Sequence, residues 1–201
     1  MARARSLAVV SFTLVAGVTG VGCSSGTAGS SAQQGSAHAP SAPPATESNP
    51  PGDIPDNQAY VTFQGSGFSV KVPEGWARST QGTTTVYSDK LNTVQITETS
   101  AAAAPSVASV TQNVVPQLRG QVTEFAAVKV SQVGRRGGQA VLLTYQGDSA
   151  TDPVTGKVVR DAFERYAFQR GGREVDLTLC GPVNADNVDP WRIVTDSFTW
   201  R

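Results

Sequence analysis

Residues 159–180, VRDAFERYAFQRGGREVDLTLC, decide the fold. Two runs of alternating side chains flank Gly171 and Gly172, and tandem glycines supply the positive φ that a tight hairpin turn needs. In the second run Val175, Leu177 and Leu179 point one way, while Asp176, Thr178 and Cys180 point the other. Such a strand belongs to a sheet with one apolar and one more polar side. The same grammar continues upstream. Ala127 to Val133 and Gln139 to Gln146 are strand-like and joined by RRGG, and DPVTGK is a turn leading into the run from Val159 to Gln169. Together with Arg173 to Cys180, these runs predict a four-stranded antiparallel meander.

Further towards the N-terminus, Ala59 to Phe63 and Phe68 to Val72 alternate well, the latter with Phe68, Val70 and Val72 on one face. Thr84 to Ser88 and Val94 to Thr99 repeat the pattern more weakly. Pro105 stands where a helix can begin, because a first-turn proline loses no intrahelical bond. Val107, Val110, Val114 and Leu118 follow at spacings of three and four. Pro116 should kink or end this helix against the carbonyl of Gln112, which leaves Pro105 to Val115 as the expected helix. At the other end, Asp189-Pro190 reads as a helix cap followed by a first-turn proline, with Trp191, Val194 and Phe198 on one face. The closing SFTW returns towards the sheet. This order of elements predicts an α+β domain over residues 59–201, an antiparallel β-sheet covered by helices.

FSVKVPEGW with its Pro73-x-x-Trp76, then YSD, the mid-chain helix, the long hairpins, the Leu177 to Pro182 step and the terminal WRIVTDSFTW resemble the PsbP-like fold. The version they resemble is that of actinobacterial lipoproteins of the LpqN type. The resemblance implies a PsbP-like sandwich and a lipoprotein of the cell envelope. The metal-linked histidines of the photosynthetic relatives have no counterpart here, so it implies no cofactor. An arginine-rich, lysine-poor composition also suits a GC-rich actinobacterium.

The N-terminus carries an address. Arg3 and Arg5 precede an uncharged, mainly apolar run from Leu7 to Val18, followed by small residues before Cys23. This is the layout of a secretory signal peptide, too short to be a transmembrane helix, which needs ~20 apolar residues. VTGVGCSS resembles a bacterial lipobox, with Val21 and Gly22 matching and Gly20 standing where a branched aliphatic is usual. The match implies a signal peptide over 1–22, cleavage before Cys23 and a diacylglycerol on its thiol. Two or three acyl chains hold a protein on a bilayer stably. An ordinary cleaved signal peptide containing a cysteine is the alternative. Residues 23–58 then form a Ser/Gly/Pro-rich tether, too poor in apolar side chains to offset its ordering entropy and so expected to be disordered. The expected address is the extracytoplasmic face of the cell membrane.

Composition excludes several functions. With 16 Lys+Arg against 16 Asp+Glu there is no basic excess for nucleic acid. One histidine and two cysteines exclude most zinc sites. The histidine, His38, falls in the tether and is lost to acid–base work. Within residues 59–201 neither GxSxG nor HExxH occurs. With Cys23 lipidated, Cys180 has no disulfide partner and is expected to be a buried free thiol. Asp148 and Asp152 flank a turn that offers too few oxygens for an EF-hand. Arg135 and Arg136 at a hairpin tip either touch phosphate or serve solubility. Trp76, Trp191 and Trp200 either frame an apolar ligand pocket or fill the core.

These observations leave three readings. The first is a non-enzymatic, monomeric envelope protein anchored to the membrane and binding an envelope or extracellular protein. The second is a carrier of an acyl chain or other apolar ligand, which needs a cavity of several hundred Å³. The third is a hydrolase using Glu164, Glu174 and Asp176.

Overall fold

Residues 51–201, the part that the computed structural model describes, are dominated by antiparallel strands. In chain order they are β1 (Tyr60–Gly65), β2 (Phe68–Pro73), β3 (Ala77–Gln81), β4 (Thr84–Asp89), β5 (Asn92–Ser100), β6 (Thr123–Arg135), β7 (Gly138–Asp148), β8 (Arg160–Arg170), β9 (Arg173–Pro182) and β10 (Thr199–Trp200). They make two sheets, a seven-stranded one in the order β3-β4-β5-β9-β8-β7-β6 and a three-stranded one in the order β1-β2-β10. The expected meander is β6 to β9. Its β8-β9 turn is Gly171-Gly172, at φ of +60° and +80°, which pairs Arg170 with Arg173. The crossover that completes the large sheet is β5 against β9, with Ile96 opposite Leu177.

The expected helix-covered α+β architecture is not what forms. Phe68, Val70 and Val72 of β2 sit in one buried cluster with Val94 and Ile96 of β5, Phe168 of β8, and Val175, Leu177 and Leu179 of β9. A second sheet, rather than a layer of helices, therefore lies over the apolar face of the large one, and the fold is β-rich. Only two helical segments accompany it among the described residues. The C-terminal helix, Val188–Asp196, adds Trp191 and Val194 to the same cluster. The mid-chain segment covers part of the opposite face, where Val110 and Val115 pack on Val141, Leu143 and Tyr145 of β7. The strand patterns were apolar on alternate residues in both sheets, so periodicity showed which side of each strand is buried without showing what covers it.

The mid-chain segment also runs further than its proline suggests. Ser106 caps it reciprocally with Ser109, an α-turn covers Val107–Ser109, a π-turn Val110–Val114, and an α-helix Val115–Gln121. The Val115 N–H bonds back to the carbonyl of Val110, five residues earlier. This wider turn comes directly before Pro116 and makes room for a ring that a regular helix would drive into Gln112. The C-terminal helix likewise starts on Asn187 instead of Asp189. β3, with all five residues exposed, is an edge strand without an apolar residue larger than alanine.

The packed part begins before residue 59. Gly52 and Ile54 are buried, and Asn187 accepts from the Ile54 N–H at 2.8 Å while donating to the Gly52 carbonyl at 3.0 Å. Asn92 donates to the same carbonyl at 2.8 Å and accepts from Asn187 at 2.9 Å. Gly181 lies beneath this knot, where a Cβ would come within 2.4 Å of the Asn92 oxygen. The last residues assigned to the tether are therefore a strap on the domain. The rest of the tether, the signal peptide, Cys23 and His38 lie outside the described residues.

Candidate functional site

The two faces of the large sheet differ in chemistry because residues directly opposite on paired strands share a face. Glu164 pairs with Leu179 and so lies on the apolar face, where the Tyr166 hydroxyl donates to it at 2.8 Å. Asp176 and Glu174 lie on the other face, opposite Thr97 and Thr99 of β5. The three carboxylates of the hydrolase reading are thus divided between the two sides of the sheet. Asp176 is held instead by an ion pair with Arg165. Burial pushes the Asp176 carboxyl above the ordinary range, and the Arg165 guanidinium opposes that push. Glu174 is raised as well, by burial and then by the Asp176 charge, again opposed by Arg165.

The three tryptophans pack with the main core. Trp191 is buried in it, and Trp76 and Trp200 pack against it. Trp200 stands edge-on to Phe68 and Phe198, with ring centroids 6.3 Å and 5.2 Å away. Phe198 stacks on Phe168 at 4.1 Å, so aromatic rings fill the space between the sheets. Trp191 also borders a crevice of about 160 Å³ beside Tyr145 and Phe163, which neither of the other two tryptophans lines. Arg135 is likewise structural, donating to the Tyr166 hydroxyl at 2.9 Å, with its guanidinium 5.0 Å from that ring. Asp148 pairs with Arg160 at 3.0 Å.

A larger space opens elsewhere, at the end of the sheet where β5 begins, β8 begins and β9 ends. It is a cleft of about 570 Å³ between the turn at Lys90 and Leu91, the loop 149–159 and Pro51. Thr93, Asp161 and Cys180, all on the open face of the large sheet, line its sheet side. Leu91, Ala150, Pro153 and Val159 make much of its wall apolar, and Lys90 and Lys157 add two cations. The loop is shaped by Asp152, whose carboxylate accepts from the backbone N–H of Val154 and Thr155 and from the Thr155 hydroxyl. Those bonds, led by Thr155, hold its pKa below the ordinary carboxylate value.

Asp161 is the unusual member of the site. It is only 7% exposed, and its Oδ1 has no hydrogen-bond partner. Burial raises its carboxyl pKa, the Cys180 thiol partly opposes this, and Asp148 adds to it. Cys180 itself is pushed up to about 12, first by burial and then by the Asp161 charge, which makes it a poor nucleophile. A buried carboxyl with one oxygen unpaired can form a hydrogen bond with the polar end of a ligand in an apolar cleft. Apart from the buried free thiol of Cys180, none of this was marked in the sequence. The cleft joins residues 51, 90–93, 149–161 and 180, and the nearest signal was DPVTGK, which announces a turn and nothing about what the turn faces.

No protein-family model matches the chain, and no curated protein matches it. Solved structures with some similarity include a Bacteroides thetaiotaomicron VPI-5482 protein, at a TM-score of 0.48 and 12% identity over 70% of this chain and 48% of that one. The chain thus spans about half the length of that protein. PA94 of Pseudomonas aeruginosa, a protein of unknown function, is similar at a TM-score of 0.38 and 14% identity over 62% of this chain and 83% of that one. LpqN of Mycobacterium tuberculosis, described as involved in cell envelope biogenesis, is similar at a TM-score of 0.38 and 13% identity over 76% of this chain and 90% of that one. The chain's likeness to LpqN is a distant one, without a family match in sequence.

Proposed function

We propose that this chain is a non-enzymatic envelope lipoprotein, anchored through Cys23, that binds a small ligand of mainly apolar body in the cleft beside Asp161. The observation that carries the reading is the cleft of about 570 Å³ into whose wall a buried carboxyl with one unpaired oxygen is built. Ligand sites are concave and mostly apolar, with a few polar groups that fix orientation. Asp161 is the orienting group, its buried Oδ1 offered to the polar end of a ligand. Binding without turnover accords with the division of Glu164 from Glu174 and Asp176 and with the unreactive Cys180. The cleft at the sheet end, where Thr93 and the 149–159 loop meet, has the several hundred Å³ that a carrier needs, whereas the space between the two sheets is filled with aromatic rings. This favours ligand carriage over protein binding.

Mass spectrometry of the full chain extracted from membranes tests the reading. Intact mass should show a diacylglycerol adduct on Cys23, and native spectra should show an additional non-covalent mass. Ala150→Trp, which fills the cleft from an exposed loop, should lose that mass while keeping its melting temperature. An unmodified Cys23 would overturn the anchor. Absence of a retained mass, together with failure to bind a fluorescent acyl probe, would overturn the carrier.

A further inference from the structure

We infer that the mouth of this cleft docks on the lipid bilayer, with Leu91, Val154 and Val158 as the aliphatic contacts, so that the cleft exchanges its ligand directly with the membrane. The inference goes beyond ligand binding but rests on the Cys23 anchor proposed above. Three observations lead to it. Val154, Val158 and Leu91 are 90%, 50% and 38% exposed, three of the nine large aliphatic side chains exposed among the described residues. Leu91 lines the cleft, and Val154 and Val158 lie on the loop whose residues Pro153, Thr155, Lys157 and Val159 line it. Pro51, where the described chain begins, lines the same cleft, so residues 1–50 join the domain at this rim.

The length of that segment supplies the rest of the argument. Residues 24–50 separate Cys23 from Pro51, and a flexible coil of that length would reach on the order of 30 Å. A domain held that close to a surface meets it at an effective concentration of about a millimolar. A patch with a Kd of about 1 mM is then docked roughly half the time, although three aliphatic side chains alone would never hold a free protein on a membrane. The attachment point decides which end of the domain faces the lipid, since the tether leaves from the rim. Lys90 and Lys157 flank the aliphatic residues and can lay their stems along the surface with the ammonium groups at headgroup level. Gln81, by contrast, pairs with Thr84 at the far end of β4, about 17 Å along the strand from Asp89.

The test uses the full lipid-anchored chain reconstituted in vesicles containing a spin-labelled phospholipid. Val154→Cys, Val158→Cys and Gln81→Cys each carry an environment-sensitive fluorophore, while Cys180, buried in the wall, stays unlabelled. Quenching at 154 and 158 should exceed that at 81 at least two-fold, and adding Leu91→Asp should abolish the difference. Equal quenching at the three positions in anchored protein overturns the docking and leaves the anchor standing. Protein that stays in the aqueous fraction with an unmodified Cys23 overturns both. Quenching that is absent from pure lipid vesicles and appears only with native membrane proteins assigns the patch to a protein partner and overturns the lipid reading.

Discussion

The two faces of the seven-stranded sheet have different covers and therefore different uses. On one face a second sheet and the C-terminal helix exclude solvent from Phe68, Phe168, Leu177, Leu179 and Phe198. On the other, the mid-chain helical segment covers β7 and its surroundings, and the strands beyond it carry Gln95, Thr97, Thr178 and the Arg165–Asp176 pair. Close packing makes the first face the source of stability, where any change of volume is felt. The incompletely covered face tolerates polar groups, bends round a cleft at one end and holds Asp161, Glu174 and Asp176, whose carboxyls burial raises. A fold of this kind separates the side that keeps it folded from the side that meets other molecules.

The largest test of that contrast is Phe168→Ala. It should cost about 3–5 kcal/mol, because Phe168 lies flat against Phe198 and leaves a cavity that its neighbours cannot fill. Gln95→Ala on the open face should change stability by no more than about 0.5 kcal/mol. Urea unfolding of the two variants reads the difference directly, and comparable losses would break the contrast. Next is Arg165→Met, which strands the Asp176 carboxylate and should cost about 3 kcal/mol. Arg165→Met combined with Asp176→Leu should recover most of it, since removing both partners of such a pair is close to neutral while removing one is not. A double variant no better than the single one would show that the pair is not the reason for the loss.

A smaller effect than these losses, and one with a sign worth following, is that of Asp161→Asn. Burial raises the folded carboxyl above its unfolded value, so the native state holds a proton more tightly than the unfolded chain. The domain is therefore favoured by Asp161 below the unfolded value of about 4, and it loses that advantage as pH rises through the folded one. Asparagine does not titrate. The variant should thus gain on the order of 1 kcal/mol at pH 7 and nothing near pH 4, as followed by melting temperature at the two pH values. A gain of equal size at both would place the effect in packing instead of charge.

Much of the strand pattern was legible because antiparallel hairpins announce themselves locally. Gly171-Gly172 and the alternation on either side of it fix β8 and β9 within two residues of their observed ends. β3 was not legible, since an edge strand with no buried side chain leaves no hydrophobic trace. The helical segment was legible at its start, while its extension past Pro116 depends on the π-turn, a backbone adjustment that side-chain spacing does not encode. The strap at 52–54 shows another limit: its anchoring residues, Asn92 and Asn187, are some 40 and 135 positions away. The tryptophans were visible as bulk, and bulk alone does not tell a pocket wall from core filling. Thr93, Asp161 and Cys180 come from three strands and looked like ordinary polar-face residues until the chain placed them together.

The knot of Asn92, Asn187 and Gly52 has a mechanical consequence. A tension applied through residues N-terminal to Pro51 passes first into the Gly52 carbonyl, the Ile54 N–H and the Asp53 carboxylate, which accepts from the Asp186 N–H at 3.0 Å. Asn92 stands at the head of β5 and Asn187 at the head of the C-terminal helix, so the load divides between the large sheet and the helix that seals its core. A few side-chain bonds thereby act as a fuse: they can open and re-form under drag while the ladders of the sheet remain slack.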